Sequence, residues 1–360
     1  MTPLEHYRSK LAAGVLQPDP AQAAAVDHLL QLYDELLEQR EVFFLRRWFA
    51  TAEEAPVKGL YLWGSVGTGK TMLMDLFYAA LPPGEKRRVH FHRFMQWVHD
   101  RRGRAGDTQD PLAKVAEELA AENRLLCLDE FAVTDIADAM ILHGFLRHLF
   151  RLGVSLVTTS NARPDDLYRN GLQRELFLPA IDLLQTHTDV VEVDGGTDYR
   201  AKFLAREEIY HHPLDTEAET RLAHCWRAVT GGHRCDPAGL EINGRWLQAR
   251  CATGDVAWFD FSELFETPRS RMDYIELARC YHTVLISDVP GLDTRTDDAA
   301  RRLIELVDEF YDRGVKLIVS AAAPPQALYT GTRLAEPFAR TASRLREMAS
   351  KEYLARPHRP

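Results

Sequence analysis

Cysteine is scarce in this chain, with five among 360 residues. Their number is odd and their spacing irregular, which argues against a disulfide framework and is typical of a reducing cytoplasm. Basic residues are outnumbered by acidic ones and the formal net charge is -9, so a surface that binds nucleic acid everywhere is excluded, although a local basic patch is not. No apolar run approaches the roughly 18 residues of a membrane span, and the N-terminus does not resemble an export signal. We therefore expect a cytoplasmic protein.

A glycine-rich segment lies between a predicted strand, residues 59–63, and a predicted helix. It reads Gly64, Ser65, Val66, Gly67, Thr68, Gly69, Lys70 and Thr71, and Met72 opens the apolar pattern of the helix. In such a loop the backbone N–H groups surround phosphate oxygens, and the positive end of the helix dipole adds to the attraction. We expect Lys70 to bind the β and γ phosphates and Thr71 to hold Mg²⁺ through its hydroxyl. The segment from Gly64 to Met72 is therefore predicted to bind a nucleotide.

Two adjacent acids end a predicted buried strand about 60 residues after this loop, where the sequence RLLCLDE covers residues 124–130. In a P-loop NTPase this position places Asp129 beside Thr71 and the metal, and Glu130 polarises the attacking water. A pair of ordinary surface acids is the alternative. The chain has no Asn-Lys-x-Asp element for guanine, so ATP is favoured over GTP as the cofactor.

Four runs resemble the ZapE family, bacterial cell-division ATPases with mitochondrial relatives. They are KGLYLWGSVGTGKTMLMDLFY, CLDEFAVTDIADAMIL, TSNARPDDLYRNGLQRELFLPAI and RTASRLREMASKEYL. The resemblance extends from about Pro3 to Leu354. It implies an α/β fold of the P-loop NTPase type (AAA+-type), with a parallel sheet flanked by helices, and ATP hydrolysis with Mg²⁺. For bacterial members it also implies association with the division ring and its FtsZ polymer, and hence recruitment to the division site.

Three further site residues follow from the order of an AAA+-type ATPase. Asn161 ends the strand after the acid pair and is expected to sense the γ phosphate, with an Asx turn before Pro164 as the alternative. Arg174 is expected to act as an arginine finger on the nucleotide of a neighbouring subunit, in an ATP-dependent homo-oligomer, with a surface ion pair as the alternative. Arg344 in the last helix is the candidate for a contact with the γ phosphate in its own chain, and Arg340 lies one helical turn away.

The second half of the chain has weaker signals. Residues 283–320 repeat an order seen earlier, a strand with a terminal acid, a helix and a strand ending in serine, without a second P-loop. Parallel strand-helix-strand units share this order generally, so we favour a generic unit over a duplication, and we expect its two strands to extend the parallel sheet. Histidines and cysteines between residues 211 and 235 lack metal-ligand spacing, so ordinary structural roles are favoured over zinc.

These patterns predict four parts. They are a helical lead-in (residues 1–55), a P-loop ATPase core (56–195), a smaller α/β insertion (196–282), and a further strand-helix-strand unit with a C-terminal helix packed on the core (283–360). Within the lead-in, the aromatic run from Phe43 to Phe49 is favoured to pack on its own domain, with peripheral membrane contact as the alternative.

Two functions remain open. The favoured one is ATP-driven remodelling of a protein partner. The alternative is a nucleic-acid-directed loader or helicase-associated ATPase, supported by a basic strip that consists of residues 86–93 with Arg101, Arg102 and Arg104.

Overall fold

The computed structural model describes residues 1–46, 56–65, 67–104, 109–193, 199–204 and 206–359. The chain divides into two compact units, Met1–Thr197 and Asp198–Pro360. None of the helices in these described ranges is long and apolar enough to cross a membrane.

The first unit begins with two helices, as predicted for the lead-in. A capping box of Thr2 and Glu5 starts the first helix, and the side chain of Asp19 accepts hydrogen bonds at the start of the second. The helices are α1 (Pro3–Ala12), α2 (Pro20–Arg46), α3 (Lys70–Ala80), α4 (Phe91–Arg104), α5 (Pro111–Glu122), α6 (Ile136–Arg151) and α7 (Leu178–His187). The strands are β1 (Gly59–Trp63), β2 (Lys86–His90), β3 (Leu125–Asp129), β4 (Ser155–Ser160) and β5 (Thr188–Glu192).

The five strands of the first unit form one parallel sheet in the order β2-β3-β4-β1-β5. Side chains alternate across it: Tyr61 packs into a cluster with α4, α5 and α6, whereas Leu60 and Leu62 pack into another with α2 and α3. A sheet covered on both faces is typical of parallel α/β folds, and ligands bind at the carboxyl ends of such strands. The predicted fold class, a parallel P-loop sheet flanked by helices, is confirmed.

The second unit contains a sheet of its own. Its helices are α8 (Tyr199–Leu204), α9 (Thr216–Val229), α10 (Arg271–Cys280), α11 (Asp297–Arg313), α12 (Ala335–Met348) and α13 (Lys351–Leu354). Its strands are β6 (Tyr210–His211), β7 (Ala238–Ile242), β8 (Arg245–Ala249), β9 (Cys251–Thr253), β10 (Val256–Asp260), β11 (Thr283–Val289) and β12 (Lys316–Ala321). The main sheet has the order β6-β12-β11-β10-β9, and β7 and β8 form a separate hairpin.

The prediction that the two late strands extend the P-loop sheet is wrong. β11 and β12 pair with each other and with β10 and β6, all in the second unit. Helices α11 and α12 pack there as well, because their apolar faces share one core with β11 and β12. An apolar strand pattern indicates burial between two layers, but it does not specify which sheet supplies the neighbours.

The two units share more than a generic strand-helix-strand order. In the first, β2, β3, β4 and β1 are adjacent in that order, and in the second β10, β11, β12 and β6 are adjacent in the same way. Helix α6 connects β3 to β4 as α11 connects β11 to β12, and β1 leads to α3 as β6 leads to α9. This match of four strands and their connections favours a repeated unit over the generic interpretation.

Candidate nucleotide-binding and catalytic site

Three glycines of the loop adopt backbone conformations that other residues rarely take. Gly64, Gly67 and Gly69 all have positive φ values, of 152°, 79° and 95°. At Gly69 this left-handed conformation disfavours a side chain, and an added Cβ would lie 2.8 Å from Nε2 of Gln22, so the glutamine would have to move. Helix α3 begins immediately afterwards at Lys70, so its N-terminal N–H groups face the loop. Val66 lies outside the described residues.

Lys70 is held over the loop that it is predicted to serve. Its side chain is buried, with 7% of the residue exposed, and Nζ donates to the carbonyl oxygens of Gly64 at 2.8 Å and Ser65 at 2.7 Å. A buried ammonium needs such acceptors, and phosphate oxygens can take their place. The structure therefore positions this cation at the loop.

The strand order places the acid pair close to the loop. Only β4 lies between β1, which leads into the loop, and β3, which ends at Asp129. Ser160 connects the two sides: its carbonyl accepts from the N–H of Gly64 at 3.3 Å, and its hydroxyl donates to the carbonyl of Phe131 at 2.7 Å. Asn161 follows Ser160 directly and is exposed. The carboxyl ends of three neighbouring strands thus carry the three predicted elements of the site.

Asp129 is fixed by an arginine that the sequence analysis did not assign to the site. Nε of Arg88 donates to Oδ2 of Asp129 at 2.7 Å and Nη2 donates to Oδ1 at 3.2 Å, while Nη1 binds Asp75 on α3. Burial lowers the pKa of Arg88, and the carboxylates of Asp129 and Asp75 more than offset this, so the pKa lies above its ordinary value. Both Asp129 oxygens are therefore oriented by a permanent cation.

Glu130 has an unusual backbone conformation. Its φ is 55°, which is uncommon for a residue other than glycine, and its N–H donates to the hydroxyl of Thr159 at 3.1 Å. The next N–H, of Phe131, donates to the carbonyl of Thr159 at 2.7 Å. These bonds to β4 hold the chain in a turn after Asp129. Such strain often accompanies a functional residue.

The second unit has an acid in the same conformation without a P-loop. Asp288 near the end of β11 has a φ of 63°, and its N–H donates to the hydroxyl of Ser320 on β12 at 3.0 Å. Its carboxylate pairs with Arg250, which also binds Glu219 and Asp260. In this unit an arginine therefore neutralises the acids. Because β6 is followed by no glycine-rich loop, the prediction of one nucleotide site per chain is retained.

Arg174 lies in a short 3₁₀ helix, Arg174–Leu176, before α7. Its Nη2 donates to the carbonyl of Asp165 at 2.5 Å, and its Nε is buried without a hydrogen-bond partner among the described residues. The alternative in the sequence analysis is a surface ion pair, whereas the described contact is to a backbone carbonyl. Three exposed leucines surround it in sequence: Leu172, Leu176 and Leu178.

Arg344 is bound within the second unit. Its guanidinium pairs with Asp308 and lies 4.8 Å from the ring centroid of Tyr311. Arg340 pairs with the same aspartate at 2.8 Å. These contacts stabilise the packing of α12 on α11 without a nucleotide, and the proposed contact of Arg344 with a γ phosphate stays a prediction.

Several side chains of the basic strip bind other groups of the first unit. Nζ of Lys86 donates to the carbonyls of Tyr78 and Leu81, Arg87 lies 4.4 Å from the ring centroid of Trp97, and Arg101 pairs with Glu118. The nucleic-acid-directed alternative stays a prediction without a described feature that favours it. The side chains of the aromatic run from Phe43 to Phe49 lie outside the described residues.

Cys235 and Cys251 lie on either side of the β7-β8 hairpin with their Cα atoms 5.0 Å apart, and they are paired as a disulfide. One such pair is not the disulfide framework that the sequence argued against. Cys127, Cys225 and Cys280 are buried thiols. Within the described ranges no three His, Cys, Asp or Glu side chains come together as a metal site.

A P-loop after β1, an acid pair after β3 and a polar strand end between them define a P-loop ATPase of the AAA+ type. The sequence profile of the AFG1-like ATPase family matches residues 1–357, and the chain belongs to this family. It is 45% identical to the cell division protein ZapE of Escherichia coli K12, over 99% of this chain and 98% of that protein. It is 36% identical to the protein C115.02c of Schizosaccharomyces pombe, over 91% of this chain and 80% of that protein.

Among solved structures, AMPPCP-bound DnaA from Aquifex aeolicus matches with a TM-score of 0.36 and 17% identity, covering 60% of this chain and 61% of that one. A likeness this low supports no argument about function.

Proposed function

We propose that this protein couples ATP hydrolysis to the remodelling of a protein partner, and that the partner is FtsZ or another component of the division ring. The observation that carries the ATP-driven part is the position of Glu130 beyond Asp129, where the N–H groups of Glu130 and Phe131 both donate to Thr159 of β4. The division-ring partner is supported by the relative in Escherichia coli, whose name is cell division protein ZapE.

The residues present suit a Mg²⁺ ion beside the nucleotide. Mg²⁺ prefers oxygen ligands, and the site offers the hydroxyl of Thr71 and the carboxylate of Asp129. The carboxylate is already fixed by Arg88, which donates to each oxygen once and leaves further lone pairs. Bound there, the ion would neutralise charge on the β and γ phosphates. Glu130 would polarise the attacking water, and Asn161 would contact the γ phosphate.

The segment around Arg174 suits contact with a second copy of this chain. Leu172 is 70% exposed and Leu176 is 56% exposed. Neighbouring apolar side chains with so much exposed surface are typical of interaction surfaces. Arginine is enriched at the centres of protein interfaces, and this one retains unused donors. In the proposed oligomer Arg174 would enter the nucleotide site of its neighbour and stabilise the charge of the transition state.

Mixing two inactive variants tests this finger. Arg174→Ala is expected to bind ATP normally and to hydrolyse it about 10³-fold more slowly, since arginine fingers supply rate accelerations of that order. Mixed with Lys70→Ala it should recover activity, because one interface then combines an intact phosphate loop with an intact finger. Phosphate release is measured across mixing ratios after subunit exchange has been verified. A rate that never exceeds the sum of the separate variants would contradict a finger acting between subunits.

Trapping the ATP-bound state tests the partner. Glu130→Gln, loaded with ATP, should co-sediment with FtsZ polymers, and the same variant without nucleotide should not. Lys70→Ala is the matched control, because it lacks the main phosphate contact and should fail in both conditions. If the loaded Glu130→Gln protein stays in the supernatant, FtsZ is not the direct partner, and division proteins recovered from cross-linked cells with the same variant become the next candidates.

A further inference from the structure

The lead-in helix α2 contacts the phosphate loop through one buried polar side chain, Gln22. Only 4% of Gln22 is exposed, although it lies in the first turn of α2. Asp19 fixes this turn by accepting from the N–H groups of Ala21 at 2.8 Å and Gln22 at 3.3 Å. The helix N-terminus therefore holds the carboxamide against the loop.

A hydrogen bond decides which way the carboxamide points. Its Nε2 donates to the carbonyl oxygen of Thr68 at 2.9 Å. Since that carbonyl can only accept, Nε2 must face it and Oε1 must point elsewhere. Oε1 is buried and has no hydrogen-bond partner among the described residues. A buried carbonyl oxygen without a donor is costly, so an unpaired Oε1 indicates a missing donor group.

The position of Gln22 along the loop suggests what supplies that donor. Lys70 at the start of α3 would hold the β and γ phosphates, and the α phosphate, ribose and base of a bound nucleotide would lie farther from it. Nε2 of Gln22 and Cε of Met72 lie 2.8 Å and 3.4 Å from the place that a Cβ of Gly69 would take. The apolar thioether of Met72 and the polar carboxamide of Gln22 therefore lie next to the same glycine. A nucleobase has an apolar face and polar edges, so it could contact both side chains.

We propose that Gln22 selects adenine, with Oε1 accepting a hydrogen bond from the exocyclic amino group of the base. Guanine carries a keto oxygen at that position, so its oxygen and Oε1 would face each other as two acceptors. Rotating the carboxamide would not relieve this, because Oε1 would then face the carbonyl of Thr68. The inference rests on the ATPase activity and is independent of the proposed partner.

The test compares nucleoside diphosphates, which the ATPase cannot turn over. Displacement of a ribose-labelled fluorescent ADP reports the affinities of ADP, GDP and purine riboside diphosphate, the last of which is ADP without its amino group. The wild-type protein should bind ADP about 10-fold or more tightly than either analogue, in line with the loss of a buried hydrogen bond. Equal affinity for ADP and purine riboside diphosphate would overturn the proposal without any variant. No binding of any of the three would instead contradict the P-loop assignment.

A variant separates base selection from a purely structural contact. Gln22→Ala should bind ADP and purine riboside diphosphate with affinities within about twofold of each other, because no acceptor distinguishes them. Gln31→Ala is the matched control: this glutamine lies on the exposed side of the same helix and binds only Glu35 among the described residues, so the wild-type preference should persist. If Gln22→Ala weakens both nucleotides equally and keeps their ratio, Gln22 only anchors α2 to the loop.

Discussion

Replacing Lys70 by alanine is expected to abolish most nucleotide binding and turnover. The ammonium donates to two loop carbonyls and is buried at the loop, so it is desolvated at the place where phosphates are expected to bind. Hydrogen bonds to charged groups contribute about 1.5–3 kcal/mol, and this corresponds to a loss of about 10- to 150-fold in ATP affinity. Turnover should fall by about 10²-fold or more, because the same cation faces charge that develops in the transition state.

Fluorescence titration with ATP and phosphate release under saturating ATP measure the two effects separately. Lys58→Ala is the matched control, because this lysine precedes β1, is half exposed, and pairs with Asp189 away from the loop. It should leave both affinity and rate near those of the wild type. A folded Lys70→Ala protein that binds and hydrolyses ATP normally would contradict the P-loop assignment.

Glu130→Gln is expected to separate ATP binding from ATP hydrolysis. Thr159 bonds the backbone N–H of Glu130 and not its carboxylate, so glutamine can keep the turn and its left-handed φ. Arg88 continues to hold Asp129, because its contacts do not involve residue 130. The substitution removes the charge that is proposed to polarise water. General-base catalysis contributes about 10²- to 10⁴-fold, so the turnover number should fall by that factor while ATP affinity stays within about twofold.

Single-turnover hydrolysis and equilibrium binding of ATP check this expectation. Glu117→Gln, an exposed glutamate on α5, provides the matched removal of one charge and should hydrolyse ATP at the wild-type rate. Wild-type hydrolysis by Glu130→Gln would mean that another residue prepares the water, and loss of ATP binding would mean that Glu130 mainly maintains the loop.

Residues that are close together in the sequence were predictable as a site. The P-loop is one continuous segment whose strand, glycines and helix follow one another, so its conformation is local. Asp129 ends a buried strand and Glu130 directly follows it, and a strand end places these residues at the sheet edge. The same reasoning put Asn161 at the end of β4, although its proposed contact with the γ phosphate stays a prediction.

Residues whose partners are distant were missed. Arg88 and Asp129 are 41 positions apart, and Gln22 and Thr68 are 46 apart. In the sequence, Arg88 was one member of a basic strip, and nothing distinguished it from Lys86 and Arg87. Only the pairing of β2 with β3 places it beside the acid. A charged residue in a short strand needs a partner of opposite charge, and this requirement could have marked Arg88. The strand order was still needed to show that the partner is Asp129.

The sequence alone therefore determined that the chain carries one P-loop, one acid pair and the family resemblance. Each of these features consists of contiguous residues, so it can be recognised without knowing which segments pack together. The tertiary structure decided which strands share a sheet, which arginine holds Asp129 and which helix reaches the loop. Apolar periodicity indicates that one face of a helix or strand is buried. The same periodicity is found whichever neighbouring element covers that face. The choice among those partners is made by packing and hydrogen bonding between segments that lie tens of residues apart, as in the separate sheet that contains β11 and β12.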